Sequence, residues 1–214
     1  LTNQFKDPQL ERIIRKTLSK PTGILTAKDL SKITHLKANN LAITSLRGIG
    51  KLTNIIKLEL QNNDITELPY DLFNLTELTY LDLQNNQLST LPIAISQLSQ
   101  LNILDLRNNR LSSLPLTVGK LTNLQFIGLN NNQLTSLPNQ IGNWKNLQYC
   151  IINNNQLTSL PNEIGNWTQL QRLECQNNQL TSLPESVGNW AYIQHIILNE
   201  NQLSTLPKSI SGWK

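Results

Sequence analysis

The side chains best suited to catalysis or metal binding are few in this sequence. Its two histidines, His35 and His195, lie near opposite ends of the 214 residues, and its two cysteines, Cys150 and Cys175, are 25 residues apart and do not cluster with either histidine. No segment matches the zinc-binding pattern HExxH, the nucleophile pattern GxSxG or the glycine-rich loop that binds phosphate. We therefore find no candidate active site, and we expect neither an enzyme nor a bound cofactor or metal.

The elements that would position any functional side chain follow from a repeat of 23 residues. Seven segments, from QNNDITELPYDL to NENQLSTLPKSI, align when they are taken from residues 61, 84, 107, 130, 153, 176 and 199. A fixed period between about 20 and 50 residues indicates a solenoid, in which each repeat stacks on the next. A single repeat cannot bury its own apolar face, so the sequence predicts one elongated domain.

Each repeat is expected to contain one parallel strand. In the unit LTYLDLQNNQLSTLPIAISQLSQ, which starts at Leu78, the fourth and sixth residues are Leu81 and Leu83, and polar or variable residues alternate with them. This is the period of a strand with one buried face. The proline at Pro92 lacks an N–H and fixes φ, which favours the start of a turn or short helix on the return path.

An asparagine recurs at the ninth position, where the chain leaves the strand. Its amide can both donate to and accept from backbone groups of its own and the neighbouring repeat, which predicts a structural role. The residues are Asn63, Asn86, Asn109, Asn132, Asn155, Asn178 and Asn201. The seventh and eighth positions, such as Asn153 and Asn154, are expected to be solvated surface.

The pattern LxxLxLxxNxL followed by xxLPxxIxxLxx, over residues 33 to 214, resembles the leucine-rich repeat family. The resemblance implies an α/β protein, a right-handed horseshoe-shaped solenoid with a parallel concave sheet. It also identifies the recurring asparagines as the asparagine ladder of that family. The region would hold eight repeats, the first degenerate, with Ala38 at a core leucine position, and the last incomplete.

Residues 1–32 do not fit the repeat and are predicted to form a helical cap. Asp7 is a plausible N-cap with Pro8 at the first helical position, and Leu10, Ile13, Ile14 and Leu18 recur at helical spacing. Residues 26–30 are predicted to form a second short helix. The arrangement resembles the N-terminal caps of bacterial internalin-like proteins, and the regular LPxxIGNW units resemble the leptospiral type of leucine-rich repeat protein.

The cysteines and tryptophans are expected in the core. Cys150 and Cys175 occupy the fourth and sixth positions of adjacent repeats, about 8 Å apart at strand spacing, which is too far for a relaxed disulfide. Two buried free thiols are therefore expected. One tryptophan in each of the last four repeats takes a slot that leucine fills earlier, which predicts core packing rather than a ligand cage. These are Trp144, Trp167, Trp190 and Trp213.

The third and fifth positions of each unit share the outward side of the strands. Four consecutive third positions are apolar or aromatic, and charged fifth positions are expected to form a rim around them. This composition favours binding of a protein, because aromatic side chains supply buried area and charges set register. The predicted partner-binding residues are Tyr80, Asp82, Ile103, Asp105, Phe126, Tyr149, Ile151, Arg172 and Glu174. The alternative is that the aromatic residues only pack on one another across strands.

The net charge of +4 is unevenly distributed. Residues 1–54 hold ten Lys or Arg against three Asp or Glu, whereas residues 55–214 hold eight against eleven. Carboxylates thus outnumber bases in the repeats, so no nucleic acid is expected on the sheet. The basic cap leaves contact with an anionic surface as an alternative to a purely solvated helix face.

The resemblance implies an exported or surface bacterial protein that engages a host or matrix protein. Two alternatives remain open: a protein that self-associates through the uncapped C-terminal end around Trp213, and a cytoplasmic scaffold. No apolar run approaches the roughly 20 residues needed to span a bilayer. The identity of the partner does not follow from the sequence.

Overall fold

The computed structural model describes residues 4–213, and across that part of the chain eight parallel strands form one sheet. Residues 1–3 of the predicted cap and residue 214 of the predicted repeat region lie outside the described residues. Neighbours in the sheet follow chain order, and each residue pairs with its equivalent in the next repeat. The strands are β1 (His35–Lys37), β2 (Lys57–Glu59), β3 (Tyr80–Asp82), β4 (Ile103–Asp105), β5 (Phe126–Gly128), β6 (Tyr149–Ile151), β7 (Arg172–Glu174) and β8 (His195–Ile197).

A short 3₁₀ helix returns the chain in every repeat, which confirms the prediction of a horseshoe-shaped solenoid. Pro92 caps its helix with a φ of −63°, and its carbonyl accepts from the N–H of Ile95 at 3.0 Å. The degenerate first repeat uses Gly48 at φ 101°, where an added Cβ would lie 2.4 Å from the carbonyl oxygen of Gln4. The helices are Ile49–Lys51, Tyr70–Asn74, Ile93–Gln97, Leu116–Lys120, Asn139–Asn143, Asn162–Asn166, Glu185–Asn189 and Lys208–Gly212.

The core lies between the sheet and the 3₁₀ helices. Leu81 in β3 and Leu83, which directly follows that strand, are completely buried, as their alternation predicts. Trp144 and Trp167 stack with ring centroids 6.2 Å apart, and the indole N–H of Trp144 donates to the carbonyl of Val118 at 3.0 Å. The tryptophans are therefore core residues, as expected, and each is also hydrogen-bonded to the preceding repeat.

The asparagine ladder is present and has the predicted structural role. In a typical repeat, Asn86 Oδ1 accepts from the N–H of Ile65 at 3.0 Å, while Nδ2 donates to the carbonyls of Leu60 and Leu83 at 3.0 Å each. The amide thus joins two repeats where the strands end. Because these backbone groups are buried, their hydrogen bonds stabilise the stack.

A second, outer ladder occupies the eighth position, where only solvated side chains were expected. Seven residues here have φ between 53° and 58°, a left-handed conformation that asparagine tolerates better than most residues. The side-chain amides bond from repeat to repeat, as when Asn154 donates to Asn131 at 2.6 Å and Asn177 donates to Asn154 at 2.7 Å. The residues are Asn62, Asn85, Asn108, Asn131, Asn154, Asn177 and Glu200.

Two helices precede the sheet, α1 (Pro8–Thr17) and α2 (Ala27–Leu30). Asp7 caps α1 as predicted, accepting from the N–H of Gln9 at 2.9 Å. Its other carboxylate oxygen accepts from the N–H of Thr44 at 2.8 Å, so one side chain joins the helix to the first repeat. Leu10 and Ile14 of α1 are completely buried in the same core as the repeats. Among the described residues, no helix has the length and apolar character needed to cross a membrane.

Candidate interaction surface on the sheet

The four apolar third-position residues lie side by side on neighbouring strands. Tyr80 pairs with Ile103, Ile103 with Phe126, and Phe126 with Tyr149. We call these four residues the sheet stripe. Three of them are half-buried and Tyr149 is 38% exposed, with Ile151 two residues further along its strand. The stripe therefore presents a continuous but shallow apolar surface.

Two cations lie over aromatic rings of the sheet stripe. The Lys57 ammonium is 4.3 Å from the centre of the Tyr80 ring, and the Arg107 guanidinium is 5.8 Å from the centre of the Phe126 ring. Such contacts are favourable when the cation lies within about 6 Å of the ring. Burial, together with the nearby carboxylates of Asp82 and Glu59, raises the pKa of the Tyr80 hydroxyl. That hydroxyl is consequently neutral over the physiological range.

The prediction of an exposed charged rim is wrong for two of its residues. Asp82 and Asp105 were expected to face solvent, but each is only 4% exposed. Asp105 is buried because the side chain of Arg107 folds back over it, with a distance of 2.6 Å from Arg107 Nη2 to Asp105 Oδ2. Asp82 pairs with Asp105 across the strands and is buried beside it. Alternation identifies the face of a residue correctly but does not reveal that a longer neighbour covers it.

Arg107 is a functional candidate that the sequence reasoning missed, since the seventh position was expected to be solvated. It also donates to Oε1 of Gln84 at 3.0 Å, so it connects two repeats. Gly128 provides the room, because a Cβ there would lie 2.8 Å from both Arg107 Cγ and Asp105 Oδ1. An arginine two residues after an aspartate, followed by glycine in the next repeat, is the sequence signal.

The remaining predicted charges are neutralised within the sheet. Arg172 and Glu174 form an ion pair at 2.6 Å, and Lys57 lies 3.6 Å from Glu59. Asp82 differs, because its one hydrogen bond among the described residues is from the N–H of Gln84 at 3.0 Å. Burial, and then the charge of Asp105, raise its pKa despite that hydrogen bond.

Three seventh-position amides lie further along the same face. The side-chain oxygens of Asn130, Asn153 and Gln176 are buried and have no hydrogen-bond partner among residues 4–213. Asn153 is only 9% exposed, so the expectation that it is solvated was wrong. Because these oxygens are inaccessible, a partner could bond them only after the side chains rotate.

The side chains with catalytic potential remain apart. His35 lies in β1 and His195 in β8, the two ends of the sheet. Both cysteines are free and buried, as predicted; burial raises the pKa of the Cys175 thiol to about 12 and that of Cys150 well above its usual range. Thiols in this state are not nucleophiles at neutral pH. Within residues 4–213, no group of three or more His, Cys, Asp or Glu is arranged to hold a metal.

Comparison with known proteins identifies the repeat. Residues 70–150 and 115–211 match the family model described as a leucine-rich repeat region. Among curated protein sequences, none matches the chain significantly. A leucine-rich repeat protein of Leptospira interrogans, LIC12759, is 35% identical with a TM-score of 0.80; the match covers 88% of this chain but 49% of that one. The chain thus spans about half the length of this relative.

Two further solved structures bear on the family. Internalin C2 of Listeria monocytogenes is 31% identical with a TM-score of 0.88, and the match covers 98% of this chain and 91% of that one. The plant peptide hormone receptor RGFR1, solved in complex with RGF2, is 34% identical with a TM-score of 0.72; the match covers 79% of this chain and 28% of the receptor. Leucine-rich repeat domains are typically protein-binding scaffolds rather than enzymes. This chain belongs to the leucine-rich repeat family and is similar to its bacterial, internalin-like members.

Proposed function

We propose that the chain is a protein-binding module and that the sheet stripe is its main contact surface. The observation that carries the proposal is the register of Tyr80, Ile103, Phe126 and Tyr149, which places four large side chains on four adjacent strands. Aromatic residues at the centre of an interface contribute most of its binding free energy when they become fully buried. A partner that covered the stripe would bury the half-exposed rings.

The charges beside the stripe support specificity more than affinity. Arg107, Arg172 and Lys57 each have a carboxylate of the sheet within ion-pair distance, so a partner would meet no unpaired cation among them. The amide oxygens of Asn130, Asn153 and Gln176 have no hydrogen-bond partner among the described residues, but they are buried and offer no accessible acceptor to a bound segment. The face thus suits a segment that presents apolar side chains.

The partner is proposed to be a host or matrix protein, and the chain to be exported or surface-located. Similarity to internalin C2 and to the Leptospira protein supports this part of the proposal. The chain spans only about half of the Leptospira protein, so what the whole of that protein does is not transferred. The receptor RGFR1, solved in complex with RGF2, supports binding of a protein partner in general.

The test is a binding screen against immobilised extracellular matrix and cell-surface proteins. The native chain is compared with the double variant Phe126→Glu, Tyr149→Glu. A matched control, Asn139→Glu, Asn162→Glu, adds the same two charges at exposed positions where the equivalent residue of a later repeat is Glu185. All three proteins must first show the same circular dichroism spectrum and similar melting temperatures.

The proposal expects at least one hit that binds the native chain and the control equally and the stripe variant at least 30-fold more weakly. Two aromatic residues that each contribute about 1 to 2 kcal/mol would produce a loss of this size. A hit that binds the stripe variant as tightly as the native chain would move the binding site away from the sheet. The absence of any hit would count against a host or matrix partner.

A further inference from the structure

A second apolar surface lies on the return path, across the core from the sheet. The residue after the repeat proline starts each 3₁₀ helix, and in three consecutive repeats it is Tyr70, Ile93 and Leu116. These side chains are 69%, 72% and 63% exposed, respectively. They are among the most exposed large apolar side chains of the described residues. We call them the return-path stripe.

The fold does not require apolar residues at this position. The next four repeats place polar or charged residues there, and all seven form the same five-residue 3₁₀ helix after a proline in extended conformation. The polar residues are Asn139, Asn162, Glu185 and Lys208. Exposed apolar side chains at Tyr70, Ile93 and Leu116 therefore contribute little to stability, and their clustering in adjacent repeats indicates a contact surface.

The three residues lie on helices that are fixed side by side. The hydroxyl of Thr117, next to Leu116, donates to the carbonyl of Ile93 at 2.8 Å. Phe73 and Ala94, in the helices that Tyr70 and Ile93 start, are buried, so these helices pack on the core and are not loose loops. A surface of this kind loses little conformational entropy when a partner binds, which favours association.

The charges at one end of the return-path stripe are either paired or hydrogen-bonded. At the Tyr70 end, Arg47 lies 3.7 Å from Glu67, and the Asp71 carboxylate accepts from the N–H groups of Gly48 and Gly50. Uncharged serine, threonine and glutamine residues precede and follow Ile93 in the sequence. Lys120, the last residue of the Leu116 helix, is exposed and has no ion pair or side-chain hydrogen bond among the described residues. At Tyr70 and Ile93 a charged partner would meet no unpaired charge, so the electrostatics of that part favour a neutral, apolar partner.

The area limits the size of the partner. Three side chains about two-thirds exposed offer on the order of 300 to 400 Å² of apolar surface. A stable dimer buries about 800 Å² on each subunit, so two copies of the chain could not associate through this stripe alone. The area matches a short segment that inserts two or three apolar side chains.

We propose that the return-path stripe is a second docking site, which binds a short, uncharged, apolar segment of a partner protein independently of the sheet. Two sites on opposite sides of one solenoid would allow the chain to bridge two proteins. The proposal does not depend on the sheet stripe, and each can fail without the other.

The test uses a displayed library of random 12-residue peptides selected on the native chain. Selected peptides are measured against Ile93→Asn, Leu116→Asn, which installs the residue that later repeats carry at the same position, and against Phe126→Glu, Tyr149→Glu. We expect peptides with at least two apolar residues and no net charge that bind the first variant at least tenfold more weakly. Their affinity for the second variant should equal that for the native chain.

Four outcomes would overturn the proposal. The first is that the selected peptides bind the asparagine variant as tightly as they bind the native chain. The second is that the selected peptides are charged. The third is a mass by light scattering that rises with concentration for the native chain but not for the variant, which would assign the stripe to a second copy. The fourth is sedimentation with phosphatidylcholine vesicles that only the native chain shows, which would assign it to a lipid surface.

Discussion

At the scale of single residues, Asp82 is a buried carboxylate whose neighbouring cation is bonded elsewhere. Arg107 bonds Asp105 through both carboxylate oxygens, whereas Asp82 accepts from the N–H of Gln84. Burial and the adjacent charge raise the pKa of Asp82 above its usual value of 3.8. Since the folded pKa exceeds the unfolded one, ionisation of Asp82 opposes folding. The cost is absent at pH values below 3.8 and present once the pH exceeds the folded pKa.

Asp82→Asn should therefore stabilise the protein at pH 7. Asparagine keeps an oxygen that can accept from Gln84 while it removes the charge, and we expect a gain of about 2 °C in Tm. The gain should diminish as the pH falls through the folded pKa of Asp82 and be lost at pH values below 3.8. Asp105→Asn serves as the control, because it breaks the ion pair with Arg107 and should lower Tm at pH 7. A lower Tm for Asp82→Asn at pH 7 would contradict the account.

The same residues show where prediction from sequence ends. Alternation placed Asp82, Asp105 and the sheet stripe on one face correctly. Their exposure depended on Arg107, whose side chain turns back along its own strand because Gly128 leaves room in the next repeat. The burial of Asp105 under Arg107 depends on residues of three neighbouring repeats, so it cannot be predicted from the sequence of a single repeat.

At the scale of the element, the two ladders differ in how visible they are in the sequence. The ninth-position asparagine was predictable because the chain must turn there and needs both donors and acceptors. The outer ladder was not, since its left-handed backbone and amide stacking exist only between assembled repeats. The run of three asparagines at 153 to 155 therefore has three roles: a partly free amide, an outer-ladder residue and an inner-ladder residue.

Glu200 is the member of the outer ladder that is not asparagine, and its φ is 58°. A glutamate gains no local hydrogen bond that would offset a left-handed backbone. Glu200→Asn should raise the free energy of unfolding by about 1 kcal/mol, because asparagine tolerates this conformation and is expected to bond Asn177. Urea denaturation measures the change.

The control for Glu200→Asn is Glu200→Gly, which relieves the backbone without extending the ladder. We expect it to be stabilising by a smaller amount. If neither substitution increased stability, the left-handed conformation at this position would not be strained, and the physical account of the outer ladder would be wrong.

At the scale of the whole molecule, the N-terminal helices and the repeats share one core. Asp7 connects them, since one carboxylate oxygen caps α1 and the other accepts from Thr44 and Ser45. Burial raises its pKa, but hydrogen bonds from Thr44, Leu10 and Gln9 outweigh that effect, so the pKa lies below 3.8. The folded pKa is depressed, so the stabilisation is present above pH 3.8 and is lost as the pH falls through the folded value.

Asp7→Ala should loosen α1 before it affects the repeats. Loss of the cap and of the bonds to Thr44 should remove about 1 to 2 kcal/mol from the protection of α1 amides. Hydrogen exchange at pH 7 measures this, with the amides of β4 and β5 as the internal reference. Equal loss of protection in α1 and in those strands would show instead that the cap and the repeats unfold as one unit.

The repeat period predicted the sheet and the return helices because the same residue types recur at equivalent positions in seven aligned segments of the sequence. The cap helices were predictable from their own capping residues and helical periodicity. The boundary between cap and repeats at residue 32 stays a prediction. The return-path stripe was not found from the sequence, since Tyr70, Ile93 and Leu116 follow prolines at a position whose exposure only the assembled helices define.

The central claim is that the sheet stripe binds a protein partner. The most direct test measures the Kd of the best hit from the matrix and cell-surface screen for Phe126→Glu, Tyr149→Glu and for Asn139→Glu, Asn162→Glu. The account predicts that the first variant binds at least 30-fold more weakly than the second, which should match the native chain. Equal Kd values for the two variants would contradict it.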